Sequence, residues 1–214
     1  KEVFFYSKRE EQMSVILQTL LYPHHGRWTE VINDVITLRE EENLNTNVSV
    51  SIAMPLIANR HIAVNGVFQN PDELEERMGQ ITPEFNAKHA QIHSKCSDVK
   101  RNVLIVNEMP EGAPDNPKFI ARRTFIAKRG KRDSLLEYLK EGRANQENKP
   151  LVMIPLGGDT DVIRMSLYFA SLNDVVNAYE RTIGPDNSGV RAKIADLTEK
   201  SYISLHRVIA RGQN

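Results

Sequence analysis

Residues 154–175 read IPLGGDTDVIRMSLYFASLNDV, and a similar stretch, MPLIANRHIAVNGVFQNPDEL, occupies residues 54–74. Both open on an apolar residue and a Pro-Leu pair, continue through a turn into residues that end in Phe, and finish in an acidic helix start. Self-similarity at a fixed spacing is the signature of a repeated unit. We therefore interpret the chain as two similar units of about 100 residues, assigned to residues 1–112 and 113–214.

The hydrophobic pattern predicts the order β-α-β-β-α-β in both units. Strict alternation of apolar and polar residues is typical of half-buried strands, and apolar residues at helical spacing indicate helices. In the first unit we predict strands at 13–22, 48–54, 61–68 and 103–106, and helices at 27–43 and 70–96, the second interrupted near Pro83. In the second unit we predict strands at 119–127, 151–155, 162–169 and 202–210, and helices at 133–143 and 173–197, the latter broken at Gly184-Pro185. A linker rich in Pro and Gly, residues 110–117, separates the units.

This order predicts an α+β fold in which each unit is a four-stranded antiparallel sheet with two helices on one face, the ferredoxin-like motif. In the third strand of each unit, alternate residues must face those helices. We predict that the helix side carries Ile62, Val64, Gly66 and Phe68 in the first unit, and Ile163, Met165, Leu167 and Phe169 in the second. The opposite side then carries His61, Ala63, Asn65 and Val67, and Val162, Arg164, Ser166 and Tyr168.

Composition excludes several classes of partner. The chain has 28 Lys and Arg against 28 Asp and Glu, so no net charge attracts nucleic acid or an acidic membrane surface. No apolar run is long enough to cross a bilayer, and the charged opening residues do not resemble a signal peptide. The lone Cys96 precludes an internal disulfide and suits a reducing compartment. We therefore expect a cytoplasmic location.

The two units together resemble a known superfamily. Each has an F-x-[N/S]-x-[N/D]-[D/E]-[L/V] junction between its third strand and a split second helix, at residues 68–74 and 169–175. Tandem ferredoxin-like units of this kind resemble the dimeric α+β-barrel superfamily, which includes antibiotic-biosynthesis monooxygenases, NIPSNAP-like proteins and haem-binding chlorite-dismutase relatives. The resemblance spans nearly the whole chain. It implies that two sheets face each other and close a barrel, here within one chain, with a homodimer left open.

Barrel closure would turn the side of each sheet that faces away from the helices into an interior wall. Alternation leaves open whether Ser49 and Ser51, or Val48 and Val50, face that interior. It leaves the same question open for Arg122 and Arg123. The other polar residues predicted inside are His61, Asn65, Arg164, Ser166, Tyr168, Ser204 and His206. Because buried polar groups are costly without partners, this set predicts a hydrated or ligand-filled cavity.

The resemblance to antibiotic-biosynthesis monooxygenases implies an enzyme that needs no cofactor. Its small-molecule substrate would be a phenolic or polycyclic metabolite that is oxygenated or rearranged in the barrel. We predict His61 or His206 as the catalytic base, since imidazole exchanges protons near neutral pH. Arg164 and Tyr168 would hold the developing oxyanion. The predicted substrate-binding residues are Asn65, Arg164, Ser166 and Tyr168.

Two alternatives remain at this stage. The first is a non-catalytic ligand-binding or assembly protein of NIPSNAP-like type. The second is a haem-binding barrel protein that uses His89 or His93, which share one face of a predicted helix with Cys96. An apolar core stripe explains that face more simply, so we predict no metal there. The chlorite-dismutase resemblance would also require a proximal His on a helix of the second unit, where the lone His206 is predicted on a strand.

Overall fold

The structure, a computed structural model, describes residues 13–55, 59–184 and 187–212. The middle of the predicted turn at 55–60 and Pro185 of the predicted helix break lie outside the described residues. In chain order the elements are β1 (Val15–Pro23), α1 (Trp28–Glu41), β2 (Thr46–Ala53), β3 (Ile62–Phe68), α2 (Pro71–Gly79), α3 (Pro83–His93), β4 (Cys96–Glu108), β5 (Phe119–Ala127), α4 (Arg132–Ala144), β6 (Leu151–Pro155), β7 (Val162–Phe169), α5 (Leu172–Ile183), α6 (Ser188–Leu197) and β8 (Thr198–Ala210).

The eight strands form one closed barrel in the order β1-β3-β2-β8-β5-β7-β6-β4, with every neighbouring pair antiparallel. Each repeat supplies four adjacent strands, β4-β1-β3-β2 and β8-β5-β7-β6, which is the ferredoxin-like order. The two seams between repeats are β2–β8 and β4–β6. The predicted α+β barrel of two tandem ferredoxin-like repeats is therefore confirmed. The boundary between residues 112 and 113 stays a prediction, because both halves share one sheet.

The helix starts that follow the third strands form for local reasons. Asn70 caps α2 by accepting a hydrogen bond from the Glu73 amide, with Pro71 at the first helical position. Ser171 caps α5 in a reciprocal capping box with Asp174. The split of the first repeat's second helix also has a local cause, because Thr82 caps α3 as a new helix.

Each repeat packs its helices on the outer side of its sheet. One core lies beneath α1 and α3 and contains Val31, Val35, Val48, Val50 and Ile62. The other lies beneath α4 and α6 and contains Phe125, Leu135, Val152, Ile163 and Leu197. The predicted helix-facing residues Ile62, Val64, Ile163 and Met165 all lie in these cores. Apolar burial thus fixes which side of each sheet faces inward.

Two strands are longer than their patterns predict. Strand β4 begins at Cys96, where we predicted helix, and α3 already ends at His93. The prediction that His89, His93 and Cys96 share a helical face is therefore wrong. Strand β8 begins at Thr198, four residues before its predicted start. Exposed charged residues such as Lys100 and Lys200 interrupt the apolar alternation there, although pairing with β1 and β5 keeps the backbone extended.

Among the described residues, no helix is both long and apolar enough to cross a membrane.

Candidate functional site

The barrel contains a partly open cavity of about 360 Å³ at the end crossed by the linker between the repeats. Part of its wall is formed by Met109 and by the linker residues Pro110, Ala113, Pro114, Asp115 and Pro117. Apolar side chains from the strands form another part: Ile16, Val67, Val106, Ile120, Leu151, Met153 and Val208. Sites for small organic molecules fall in this range of size and combine an apolar wall with a few polar groups.

The cavity resolves two orientations that alternation left open. Ser49 lines the cavity and is 1% exposed, whereas Val50 packs beneath the helices. Arg122 lines the cavity and is 8% exposed. Arg123, the next residue, stacks on Phe125 on the helix side, with 4.9 Å between the guanidinium carbon and the ring centroid.

A chain of hydrogen bonds joins the two repeats across the interior. Arg164 donates to Gln18 Oε1 over 2.8 Å, and Gln18 Nε2 donates to Asn65 Oδ1 over 2.9 Å. Gln18 and Asn65 line the cavity, and Arg164 supports them from behind. Gln18 is 1% exposed, so this chain gives buried amides the partners they need.

Two buried histidines lie side by side in the same interior. The ring centroids of His61 and His206 are 5.1 Å apart, and Tyr22 stacks on the outer side of His61 at 5.6 Å. His61 Nδ1 lies 3.2 Å from the Asn59 carbonyl oxygen, which can only accept, so Nδ1 carries the proton and Nε2 carries a free lone pair. His206 Nε2 lies 3.1 Å from Ser204 Oγ.

The electrostatic environment keeps both imidazoles neutral. Burial, reinforced by the charges of Arg122 and Arg164, lowers the pKa of His61 to about 4, against the opposing effect of its bond to Asn59. Burial, with Arg122 and His61 adding to it, lowers the pKa of His206 still further. Burial and the neighbouring Arg164 lower the pKa of Arg122 to about 10, which leaves its guanidinium charged at neutral pH.

Several interior polar atoms have no hydrogen-bond partner within the described part of the chain. They are Ser49 Oγ, His61 Nε2, Arg122 Nε, Ser166 Oγ and His206 Nδ1. Leaving a buried polar group unpaired costs about 1 to 3 kcal/mol, and native proteins keep such groups chiefly where water or a ligand satisfies them. Three of these atoms, on Ser49, Arg122 and Ser166, line the cavity, and the two histidine atoms lie behind its wall, so the interior is suited to hold water or a ligand.

The predicted site residues divide into two layers. Asn65, Ser166 and Tyr168 line the cavity directly. Arg164 reaches it through Gln18, and the buried His61 and His206 lie beyond its wall. The structure thus brings all six into one interior, while their predicted roles stay predictions.

The cavity wall includes polar residues that were not predicted as site residues, among them Gln18, Arg122 and Arg211. Gln18 stands out in the sequence as a polar residue between Ile16 and Leu20 on one side of a strand, which is the signal that could have identified it. Arg122 was a candidate without an orientation. Arg211 follows the last strand and donates to the Asp115 carbonyl of the linker, a contact that no sequence pattern encodes.

The haem-binding alternative does not fit the histidines it requires. His89 and His93 stack on each other at 5.6 Å and line an outer crevice of only about 40 Å³. Such a space admits water molecules but no macrocycle. Among the described residues, no group of three His, Cys, Asp or Glu side chains could hold a metal ion.

Comparisons with known proteins support the fold. No protein-family model matches the sequence, and a search of curated sequences found no relative. Among solved structures, the chain is similar to a monooxygenase candidate from Fusobacterium nucleatum subsp. nucleatum, with a TM-score of 0.70 and 7% identity over 95% of this chain and 96% of that chain. It is also similar to one from Lactobacillus acidophilus NCFM, with a TM-score of 0.67 and 9% identity over 95% and 98%.

A third similar structure is an anthrone oxidase-like protein, with a TM-score of 0.64 and 12% identity over 94% of this chain and 93% of that chain. Identities this low establish the fold alone. The chain therefore has the fold of the dimeric α+β-barrel superfamily, and its chemistry has to be argued from its own interior.

Proposed function

We propose that this protein is a cofactor-independent oxygenase that binds a phenolic or polycyclic small molecule in the barrel cavity. The observation that carries the proposal is the pair of buried neutral histidines beside the Arg122 and Arg164 guanidiniums. A lone pair on His61 Nε2 supplies a proton acceptor, and the guanidiniums stabilise an anion as it forms. The names of similar structures, monooxygenase candidates and an anthrone oxidase-like protein, support the same class of reaction.

The chemistry starts with proton transfer from an acidic carbon or hydroxyl of the substrate to His61 or His206, through a bridging water because both histidines lie behind the cavity wall. The resulting anion lies beside Arg122, whose charge lowers the substrate's pKa. The same anion offsets the guanidinium charge and so raises the pKa of the histidine that accepts the proton. This coupling lets an imidazole with a pKa of about 4 in the empty site act as a base once substrate is bound.

Molecular oxygen is then the only further reactant. The electron-rich carbon of the anion adds O₂, and the returning proton completes a hydroperoxide. Loss of water from that hydroperoxide converts a CH₂ group into C=O, with one oxygen atom in the product and the other in water. The substrate supplies all four electrons, so the step needs no external reductant. In this scheme Asn65, Ser166 and Tyr168 orient the substrate from the cavity wall.

Oxygen uptake with an anthrone or polyphenol as substrate, without added cofactor, tests this proposal. We expect uptake that depends on the protein and falls about 100-fold or more in His61→Gln or His206→Gln, as is typical when a general base is lost. His93→Gln, a change in the outer layer, is the matched control and should retain activity. Uptake that is absent, or equal in all three variants, would refute the oxygenase.

The runner-up function is a non-catalytic ligand-binding or assembly protein. A barrel that serves assembly alone has no use for an interior cavity of about 360 Å³ with unpaired polar atoms. A ligand-binding protein without turnover would retain the ligand unchanged, which mass spectrometry of the recovered compound distinguishes from oxygenation. The oxygenase and the ligand-binding protein would both be barrels that bind a small molecule.

A further inference from the structure

The Arg122 guanidinium is the most unusual group in the interior. It is buried, lines the cavity, and donates no hydrogen bond to any residue in the described ranges. No carboxylate is among the groups that shift the pKa of Arg122 or Arg164. The side chains that shift the pKa of Arg122 are Arg164 and Tyr168, and those that shift the pKa of Arg164 are Tyr202 and Tyr22. A buried cation without a counterion costs several kcal/mol, and a second cation beside it adds to that cost.

Other groups around Arg122 are also arranged for a negative charge. Its cross-strand neighbour Ser166 has an unpaired hydroxyl that can donate. Tyr168 lines the same wall, and the pKa of its phenol, raised by burial, is pulled down by Arg122 and Arg211. Arg211 thus brings a second guanidinium to the cavity wall.

Acidic groups are scarce on this wall. Within the described ranges, the acidic residue that lines the cavity is Asp115, which is exposed on the linker. The linker's other acid, Glu111, already pairs with Lys149 and Arg143 outside the cavity. Two guanidiniums therefore line a cavity whose acidic residue is one exposed carboxylate, and a third, that of Arg164, lies behind its wall.

In the first repeat, the polar side chains at the equivalent positions are hydrogen-bonded to each other. Gln18 lies opposite Asn65 in the β1–β3 register, as Arg122 lies opposite Ser166 in the β5–β7 register. The amide pair of the first repeat is neutral and bonded over 2.9 Å. The equivalent pair in the second repeat, Arg122 and Ser166, is charged, and each of its two side chains has a hydrogen-bond donor without a partner.

We propose that Arg122, with Ser166, Tyr168 and Arg211, binds a carboxylate group carried by an otherwise apolar ligand, whose body lies against the aliphatic wall of the cavity. This inference deepens the proposed function and rests on it for the idea that the ligand is a substrate: the phenolic or polycyclic compound carries an acid group. The carboxylate accepts the hydrogen bonds that the guanidinium and the serine hydroxyl leave unused. Its charge supplies the counterion that the chain lacks.

The test compares two probes of nearly the same shape, the anion 2-naphthoate and the neutral 2-naphthamide, by calorimetric titration without oxygen. We expect the native protein to bind the naphthoate about 10- to 100-fold more tightly, as charged hydrogen bonds imply. The preference should vanish in Arg122→Gln, which installs the first repeat's residue, and persist in the matched control Arg123→Gln. Equal affinity for both probes, a preference that survives Arg122→Gln, or no binding of either probe at millimolar concentration would overturn the proposal.

A second readout needs no ligand. If Arg122 is kept for a ligand, Arg122→Gln should melt at the same temperature as the ligand-free native protein or above it. A lower melting temperature would show that Arg122 stabilises the fold and would overturn the proposal.

The proposed function and the carboxylate site can be refuted separately. Charge-selective binding without oxygen uptake refutes only the oxygenase. Oxygen uptake that is equally fast on neutral phenols and on phenols that carry a carboxylate refutes only the carboxylate site.

Discussion

The two repeats share one architecture but contribute different chemistry to the interior. At equivalent positions the first repeat has Gln18 and Asn65, which bond to each other, and the second has Arg122 and Ser166, which are unpaired. The third strands differ in the same sense, since Ala63 aligns with Arg164 and Val67 with Tyr168 when Phe68 is matched to Phe169. The first repeat thus supplies neutral amides, and the second supplies the charge.

The difference shows that a duplicated fold can separate two tasks between its copies. Both repeats have an apolar core on the helix side, because both must bury a sheet face under helices. Interior positions are free of that requirement, because the cavity leaves space between them. Each prediction below tests how far the difference between the repeats extends.

The largest change in the free energy of unfolding should come from a substitution that makes the first repeat resemble the second. Gln18→Arg would bring another guanidinium next to Arg122 and Arg164 and remove the acceptor that Arg164 uses. We expect the free energy of unfolding to fall by about 3 to 5 kcal/mol, measured by urea denaturation. Gln18→Glu has nearly the same shape and should act in the opposite direction, by about 1 to 2 kcal/mol, because Arg164 gains an ion pair and the Asn65 amide can turn to donate to the carboxylate. Similar effects of both changes would contradict the described charge distribution.

The next effect concerns the two histidines, one from each repeat. His61 is neutral in the folded protein with a pKa of about 4, whereas in the unfolded chain it takes up a proton near its ordinary pKa of about 6.5. The unfolded state therefore binds more protons between these values, and acid favours unfolding. We expect His61 alone to account for about 3 kcal/mol of unfolding free energy lost between pH 7 and pH 4.

Urea denaturation across this pH range measures the effect. His61→Gln should make the slope of stability against pH shallower than it is in the native protein. A slope that is the same with and without His61 would mean that this imidazole is not buried neutral.

A smaller effect is expected in the connection between the repeats. Gly112 has φ +65, and a Cβ added there would clash with the Glu147 carbonyl oxygen. Gly112→Ala should therefore lower the free energy of unfolding by about 2 kcal/mol. Gly130 has φ +76 with open space around it, so Gly130→Ala should cost only about 1 kcal/mol. An equal loss of unfolding free energy in the two variants would show that the clash has no effect and that only the positive φ of each glycine matters.

The smallest effect should come from the equivalent helix starts, where the repeats agree. Ser171→Ala removes the cap of α5, and Asn70→Ala removes the cap of α2. Each should lower the free energy of unfolding by about 1 kcal/mol, seen as a melting temperature about 2 to 4 °C lower. A large difference between the two would show that the repeats diverge in their helices as well as in their interior.

The sequence predicted the fold well because its signals are local. Alternation identified the strands around Asn65 and Ser166, and polar caps located the helix starts. The same reasoning missed the early start of β4, where charged surface residues obscure the alternation. It also placed Cys96 on a helix, although the chain leaves α3 after His93 and enters a strand.

The candidate site was predicted only in part, for a geometric reason. Because side chains alternate along a strand, Arg122 and Arg123 must face opposite sides of β5, but this alternation does not show which side becomes the interior. That choice depends on how β5 lies between β7 and β8, far away in sequence. Gln18 was missed because its significance comes from Arg164, a partner 146 residues away.

The sequence by itself determined the repeat, the order of the elements and the sets of side chains that share a face, because these follow from periods of two and 3.6 residues. Only the tertiary structure decided which sets meet. Closing the sheet through β2–β8 and β4–β6 fixed the stagger of all eight strands at once. That stagger places His61 against His206, leaves Arg122 without a counterion, and opens the cavity beside it. Contacts across the barrel follow from closure, which no local pattern encodes.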